Sequence, residues 1–173
     1  MASASSSTSI PPPQSPTSSY SHDVFLCFRG PDTGYGFTSH LYAALNRKGI
    51  TTYKDDKNLR KGDVISHELV KAIEESMFAV IVFSPDFASS SWCLDEVCNI
   101  IDCKNKQGLQ MVEVFYYVEP CDVRHQIGTF QKAFEKHERE GRHESEKVKR
   151  WREALKQVAE HSGWTSKNHP WRG

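Results

Sequence analysis

Short apolar runs along the chain alternate with longer segments in which apolar side chains recur at helical spacing. Three runs are almost continuously apolar, which is typical of parallel strands buried on both faces: "VFLCF" (24–28), "FAVIVFS" (78–84) and "MVEVFYYV" (111–118). The more polar, β-branched run "ITTYKD" (50–55) predicts a strand nearer the sheet edge, and "GWTS" (163–166) predicts one last short strand.

Five segments between these runs show the apolar stripe of an amphipathic helix. The stripes are Phe37, Leu41, Ala44 and Leu45; Ile65, Leu69, Ala72, Ile73 and Ser76; Leu94, Val97, Ile100 and Ile101; Phe130, Phe134 and His137; and Val148, Trp151, Leu155 and Val158. Strands that alternate with helices predict an α/β domain. With five units, the sequence predicts a flavodoxin-like three-layer fold, a five-stranded parallel sheet in the order 2-1-3-4-5 with helices on both faces.

In a sheet of this order, ligands bind at the carboxyl ends of the first and third strands. The first strand ends at Arg29 and Gly30, and the third ends at Ser84. Gly30 would let a ligand approach the backbone, and Arg29 would place a cation beside it. These three residues are therefore candidates for substrate binding.

The stretch "SSSWCLDEV" (89–97) follows the third strand directly and has two interpretations. In the first, a serine caps a structural helix, Trp92 anchors it in the core, and the acids complement its dipole. In the second, Trp92 and Glu96 share a helix face at i and i+4, and an aromatic wall beside one carboxylate stabilises a ribosyl cation. Asp95, turned about 100° away, is expected to be the solvated or dipole-complementing acid. A single carboxylate suffices for NAD⁺, whose nicotinamide leaves without a general acid, whereas ordinary glycosidases need two.

The composition of the chain bears on four other kinds of function: nucleic-acid binding, metal binding, cysteine catalysis and membrane insertion. Lys plus Arg and Asp plus Glu both number 22, so no global basic field favours nucleic acid, although a local patch stays open. The five cysteines contain no paired metal-ligand spacing, which predicts no metal site and reduced, mostly buried thiols. A nucleophilic Cys93 or Cys121 stays open as a minor alternative. No stretch approaches the roughly 18 to 20 apolar residues of a membrane span, so we expect a cytoplasmic or nucleo-cytoplasmic protein without a membrane partner.

The expected organisation is a disordered Ser- and Pro-rich arm over 1–21, one domain over 22–166, and a tail or linker start over 167–173. Four motifs carry a resemblance across about 23–164: "HDVFLCFRGPDT", "FTSHLYAALNRKGITTYKDD", "LRKGDVISHELVKAIEESMFAVIVFSPDFASSSWCLDEV" and "VFYYVEPCDVRHQIGTFQKAF". Together they resemble a plant Toll/interleukin receptor (TIR) domain, the N-terminal signalling domain of intracellular immune receptors with nucleotide-binding and leucine-rich-repeat regions. Pro31, Gly34 and Tyr117 depart from the usual pattern of that family, in which these positions carry charged residues.

The resemblance implies an NAD⁺ nucleohydrolase that is switched on when TIR domains associate, and that releases nicotinamide with ADP-ribose or cyclic and related signalling nucleotides. It implies NAD⁺ or NADP⁺ as substrate, no required cofactor, and other TIR domains as partners. Glu96 matches the catalytic glutamate and Trp92 the helix tryptophan. The residues implied in the loop over the site are Asp55, Lys57, Arg60 and Gly62, and those implied in self-association are Ser39 and His40.

Two functions from different classes follow. The first is the NAD⁺-cleaving enzyme of plant defence. The second is a non-catalytic adaptor that signals by binding other TIR domains. Nucleic-acid-dependent synthesis of cyclic nucleotides is a minor third possibility.

Overall fold

A parallel sheet forms the centre of the molecule. The computed structural model describes residues 20–55 and 65–160, and the backbone of 164–165. Within these residues, five parallel strands form one sheet in the order β2-β1-β3-β4-β5. The strands are β1 (His22–Phe28), β2 (Thr52–Lys54), β3 (Ser76–Phe83), β4 (Gln110–Phe115) and β5 (Trp164–Thr165).

Helices lie between the strands, and five of the six described helices match the predicted apolar stripes. They are α1 (Phe37–Arg47), α2 (His67–Glu74), α3 (Ser91–Gln107), α4 (Pro120–Arg124), α5 (Thr129–Glu140) and α6 (Ser145–Ala159), with single helical turns at Gly30–Gly34 and Phe87–Ser89. The predicted fold class, strand number and strand order are confirmed.

The two faces of the sheet are covered unequally. On one face, α2, α3, α5 and α6 pack over a large core in which Phe25, Ile81 and Phe115 are fully buried. On the other face, α1 packs over a smaller core of four buried side chains, Val24, Leu26, Phe28 and Val82. The strands buried between the two cores are those with the most continuous apolar sequence, because both of their faces contact helices.

The register of β1 and β3 brings the predicted site residues to one edge. Phe28 pairs with Val82, so Arg29 and Ser84 leave their strands side by side. The helix α3 starts a few residues after β3, and its first turn therefore lies beside the crevice at the carboxyl ends of β1 and β3.

All five strands differ slightly in their boundaries from the predicted runs, and the differences at β3 and β4 have a local structural cause. Ser76 is not on α2 as predicted but begins β3, and its hydroxyl donates to the Ala72 carbonyl oxygen at 2.7 Å. The strand β4 ends at Phe115 instead of Val118, because Tyr117 has a φ of +57° that turns the chain. The short helix α4 then begins at Pro120 and has no apolar stripe long enough to predict it.

The ends of the chain lie mostly outside the described residues. That region includes 1–19 of the predicted arm and all of the predicted tail. Residue Ser21, the last of the predicted arm, donates its backbone N–H to Glu75 at 2.9 Å and its hydroxyl to the Glu75 carboxylate at 2.8 Å.

Candidate functional site

The amino end of α3 is fixed by a serine cap and a thiol contact. The Ser90 hydroxyl accepts the Cys93 backbone N–H at 3.2 Å, which confirms that a serine of "SSSWCLDEV" caps this helix. The Cys93 thiol in turn donates to the Phe28 carbonyl oxygen at 3.4 Å. The first turn of α3 is therefore tied to the end of β1.

Trp92 and Glu96 face each other one turn apart on this helix. The indole Nε1–H donates to Glu96 Oε1 at 2.8 Å, and the Glu96 side chain is 0% exposed. The other oxygen, Oε2, has no hydrogen-bond partner among the residues that the structure describes. A buried carboxylate oxygen without a hydrogen-bond partner is unfavourable, so Oε2 is a candidate atom for contact with a ligand.

The surroundings of Glu96 favour its protonated form. Burial, together with the negative charge of Asp55, raises the pKa of Glu96 to about 8. The neighbouring Cys27 thiol and the Trp92 indole act in the opposite direction, because they stabilise the carboxylate. A carboxyl with a pKa this far above its ordinary value is typical of a functional site.

Four side chains therefore form what we call the Glu96 cluster: Cys27, Asp55, Trp92 and Glu96. Asp55 follows β2 and is buried, and its charge acts on Glu96 across the ends of the strands. The other predicted residues of the loop over the site, Lys57, Arg60 and Gly62, lie outside the described residues.

A second group of polar contacts, the Asp32 cluster, joins Arg29, Asp32, Ser84 and the backbone of Asp86. Asp32 Oδ1 pairs with the Arg29 guanidinium. Asp32 Oδ2 accepts the Ser84 hydroxyl at 2.5 Å and the Asp86 N–H at 3.3 Å. Arg29 and Ser84, predicted separately, are thus brought together by an acid that the sequence analysis missed. The sequence feature that could have indicated this contact is the spacing of Asp32 three residues after Arg29, which is within one helical turn.

The turn Gly30–Gly34 is braced against α1. The Thr38 hydroxyl donates to the Thr33 hydroxyl at 2.8 Å, and the Ser39 hydroxyl donates to the Gly34 carbonyl oxygen. A side chain at Gly30 would meet nothing within 4 Å, so its backbone is open to a ligand. His40 is exposed on α1, whereas Ser39 is half-buried and bound to the turn.

The prediction that Asp95 is solvated is wrong. Its side chain is buried, Oδ1 accepts the indole N–H of Trp151 at 2.8 Å, and Oδ2 pairs with Lys147 Nζ at 3.0 Å. The angle between Asp95 and Glu96 on α3 was predicted correctly, but α6 covers the side of the helix to which Asp95 points. Asp95 therefore docks α6 onto α3.

The thiols of the described residues are all free, and Cys121 alone among them is exposed. Burial raises the pKa of Cys93 far above its ordinary value, which argues against a thiolate nucleophile there.

No group of three or more metal-ligating side chains occurs in the described part of the chain. None of the described helices is long and apolar enough to cross a membrane.

Comparison with known proteins places this architecture in a family. The model of the family described as TIR domain matches residues 21–172. The chain belongs to the TIR domain family. The resemblance to plant TIR domains predicted from the sequence is thereby confirmed, and so is the fold that it implies.

Several plant disease-resistance proteins are similar to this TIR domain. It is 50% identical over 149 residues to TMV resistance protein N of Nicotiana glutinosa, covering 86% of this chain and 13% of that protein. It is 49% identical over 162 residues to disease resistance protein RPV1 of Vitis rotundifolia, covering 93% of this chain and 11% of that protein. The chain thus spans little more than a tenth of the curated relatives it matches.

A solved structure of a TIR domain has the same fold. The TIR domains of the activated Roq1 resistosome, which directly recognises the pathogen effector XopQ, superimpose with a TM-score of 0.78 at 50% sequence identity, over 88% of this chain and 92% of that chain.

Proposed function

We propose that this TIR domain is an association-activated NAD⁺ nucleohydrolase of plant immune signalling. The observation that carries the proposal is Glu96: a fully buried carboxyl, held by the Trp92 indole, with one oxygen unpartnered among the described residues. Its position at the carboxyl ends of β1 and β3 is where an open parallel sheet binds nucleotides.

The proposed step breaks the bond between ribose C1′ and the nicotinamide nitrogen. The bonding electron pair leaves with nicotinamide, which becomes neutral, and the ribose becomes an oxocarbenium ion. Glu96 as carboxylate stabilises that positive charge. A water oxygen, or a nucleophile within the substrate itself, then bonds to C1′ and releases its proton to solvent, which gives ADP-ribose or a cyclic product.

The ionisation of Glu96 follows from the substrate. The pyridinium of NAD⁺ is positively charged, and an opposite charge within a few ångströms lowers the pKa of a carboxyl. Binding of NAD⁺ therefore favours the carboxylate that the free protein disfavours. NADP⁺ carries the same pyridinium, so this reasoning does not separate the two substrates.

Association is the second part of the proposal. The TIR domains of the Roq1 resistosome lie within an assembled complex, and they are half identical in sequence to this chain. We infer that this domain also acts with other TIR domains, and that the exposed His40 on α1 belongs to the contact surface. The same likeness favours the second candidate function, a non-catalytic adaptor that signals by TIR–TIR binding.

The experiment that separates the two functions measures nicotinamide release by the purified protein at several protein concentrations. We expect turnover per protein to rise with concentration, and Glu96→Ala to lower it about 10²- to 10³-fold, the usual contribution of a preorganised charge in a transition state. Glu96→Gln should lose nearly as much, because it keeps the shape and removes the charge.

The matched control is Glu74→Gln, the same chemical change on α2, and it should leave turnover unchanged. If Glu96→Ala releases nicotinamide at the wild-type rate, Glu96 is not the catalytic residue. If the wild-type protein releases none even when it is forced to cluster, the adaptor function is correct.

A further inference from the structure

The Asp32 side chain connects the turns that follow β1 and β3. One carboxylate oxygen pairs with the Arg29 guanidinium, and the other accepts the Ser84 hydroxyl and the Asp86 backbone N–H. Only 12% of the Asp32 side chain is exposed, so water competes little for these contacts. A charge-assisted pair on one oxygen and two donors on the other hold three groups in a fixed geometry.

The pair with Asp32 leaves most of the Arg29 guanidinium available. A guanidinium has five N–H donors, and the contact with Asp32 is made by Nη1. Nε and Nη2 have no partner within the described part of the chain, and the side chain is 26% exposed. Arg29 can therefore bind an anion in the crevice without leaving Asp32.

Ser84 holds the Asp32 carboxylate in place through a hydrogen bond. The residue is 0% exposed, and its hydroxyl proton is donated to Asp32. That proton is not available to a ligand while the contact lasts, so Ser84 acts on the crevice through Asp32.

We propose that Asp32 is a positioning residue of the nucleotide site: it orients Arg29 so that the remaining guanidinium N–H groups meet the pyrophosphate of NAD⁺ over the open backbone of Gly30. This inference rests on the proposed function. It adds that the side of the crevice formed by Arg29 and Gly30 binds the pyrophosphate of the substrate. The fork of an arginine matches phosphate oxygens in two parallel hydrogen bonds, and such bonds require a fixed guanidinium plane. With Glu96 at the nicotinamide ribose, the pyrophosphate is the next charged group along the dinucleotide.

The test is a double-mutant cycle in the full chain, assayed at a protein concentration where turnover per protein is maximal. Asp32→Asn keeps the size of the side chain and removes its charge. We expect KM for NAD⁺ to rise about tenfold with kcat changed less than about twofold, because a pyrophosphate contact is the same in ground and transition states. In the Arg29→Ala background, Asp32→Asn should add little to KM, because Asp32 acts through Arg29.

The control is Asp102→Asn, the same change in charge at an exposed residue of α3 that pairs with Arg150 and contacts no member of the Asp32 cluster; KM should not move. A KM unchanged by Asp32→Asn overturns the inference, and so does an effect of the same size with and without Arg29. A merely structural role would lower the melting temperature and leave KM unchanged.

If Asp32→Asn does not fold, a second double-mutant cycle, of Arg29→Lys with Ser84→Ala, replaces the first. These two residues meet through Asp32, so additive effects on KM would then refute the inference.

Failure of the proposed enzyme function can be distinguished from failure of the Asp32 inference by measuring NAD⁺ binding separately from NAD⁺ cleavage. If the wild-type protein binds NAD⁺ in a calorimetric titration but releases no nicotinamide, the enzyme proposal falls. The Asp32 inference is then decided by the dissociation constants of the same variants. If the wild-type protein neither cleaves nor binds NAD⁺, both proposals fall.

Discussion

Glu96 combines two properties that oppose each other in the free protein. Its burial in the Glu96 cluster raises its pKa to about 8, so the neutral acid predominates at physiological pH. The proposed chemistry needs the carboxylate, because only a negative charge stabilises the oxocarbenium ion. The free protein therefore holds its proposed catalytic group mostly in the protonated form, so pH should control the proposed reaction.

The first residue-scale prediction concerns this pH dependence. We expect kcat/KM for nicotinamide release to rise about tenfold per pH unit below pH 8 and to level off above it, because kcat/KM reports the ionisation of the free enzyme. Trp92→Phe removes an indole N–H that stabilises the carboxylate, so it should move the profile to higher pH. Measurement from pH 6 to 9.5 checks both; a flat wild-type profile contradicts the assignment.

A second prediction concerns stability. The folded-state pKa of Glu96 is raised from 4.5 to about 8, so the stability that it contributes is fully present below pH 4.5 and is lost as pH rises through 8. Glu96→Gln stays neutral at every pH. Its free energy of unfolding relative to wild type should therefore rise by about 1 kcal/mol between pH 7 and pH 9. Denaturant titrations at the two pH values measure it; Glu74→Gln should show no such trend.

The sequence predicted the pair of Trp92 and Glu96 but not their environment. Residues four apart on a helix share a face, so the contact follows from spacing alone. The burial of Glu96 and the partners of Asp32 depend on which strands become neighbours. Ser84 and Asp32 are 52 positions apart, and no local pattern indicates that they meet.

At the scale of elements, α3 is fixed at both of its faces. One face carries Trp92 and Glu96 toward the crevice. On the neighbouring face, Asp95, which directly precedes Glu96, contacts Trp151 and Lys147 of α6. The rings of His137 and His143 pack around Trp151 at 5.2 and 4.9 Å, so the mostly solvated, charged segment 136–150 also covers this joint. The stripes predicted five of the six described helices, but not which helices dock on each other, because an amphipathic face does not specify its partner.

The prediction at this scale is that Asp95 stabilises the fold. Asp95→Ala leaves the buried indole N–H of Trp151 without an acceptor, which should cost about 1 to 3 kcal/mol of unfolding free energy. Asp95→Asn keeps an acceptor for Trp151 and should cost less. The matched control is Asp102→Ala, which removes an exposed pair with Arg150 and should change stability by less than about 1 kcal/mol. Equal melting temperatures for Asp95→Ala and Asp102→Ala would contradict this role.

At the scale of the whole molecule, the strand order brings the candidate site residues together. Because β1 lies between β2 and β3, the ends of three strands converge on the first turn of α3. The alternation of strands and helices was sufficient to predict this order and the edge where the crevice lies. The positions of Lys57, Arg60 and Gly62 were predicted from family resemblance and stay predictions, since they fall outside the described residues.

Ser39 and His40 should affect association and catalysis differently, although the sequence predicts one shared role for them. His40 is exposed on α1, whereas the Ser39 hydroxyl holds the Gly34 carbonyl oxygen and so braces the turn that carries Asp32. We expect His40→Ala to lower nicotinamide release per protein at low concentration and to regain the wild-type rate when the domains are forced to cluster.

Ser39→Ala should stay slow under forced clustering, because its defect lies in the turn beside the crevice. Sedimentation of both variants provides the second measurement: weaker self-association is expected for His40→Ala and not for Ser39→Ala. Should His40→Ala remain as active and as associated as wild type across the concentration series, the surface around His40 is not the contact between domains. The role of Ser39 in bracing the turn is tested separately, by the rate of nicotinamide release of Ser39→Ala when the domains are forced to cluster.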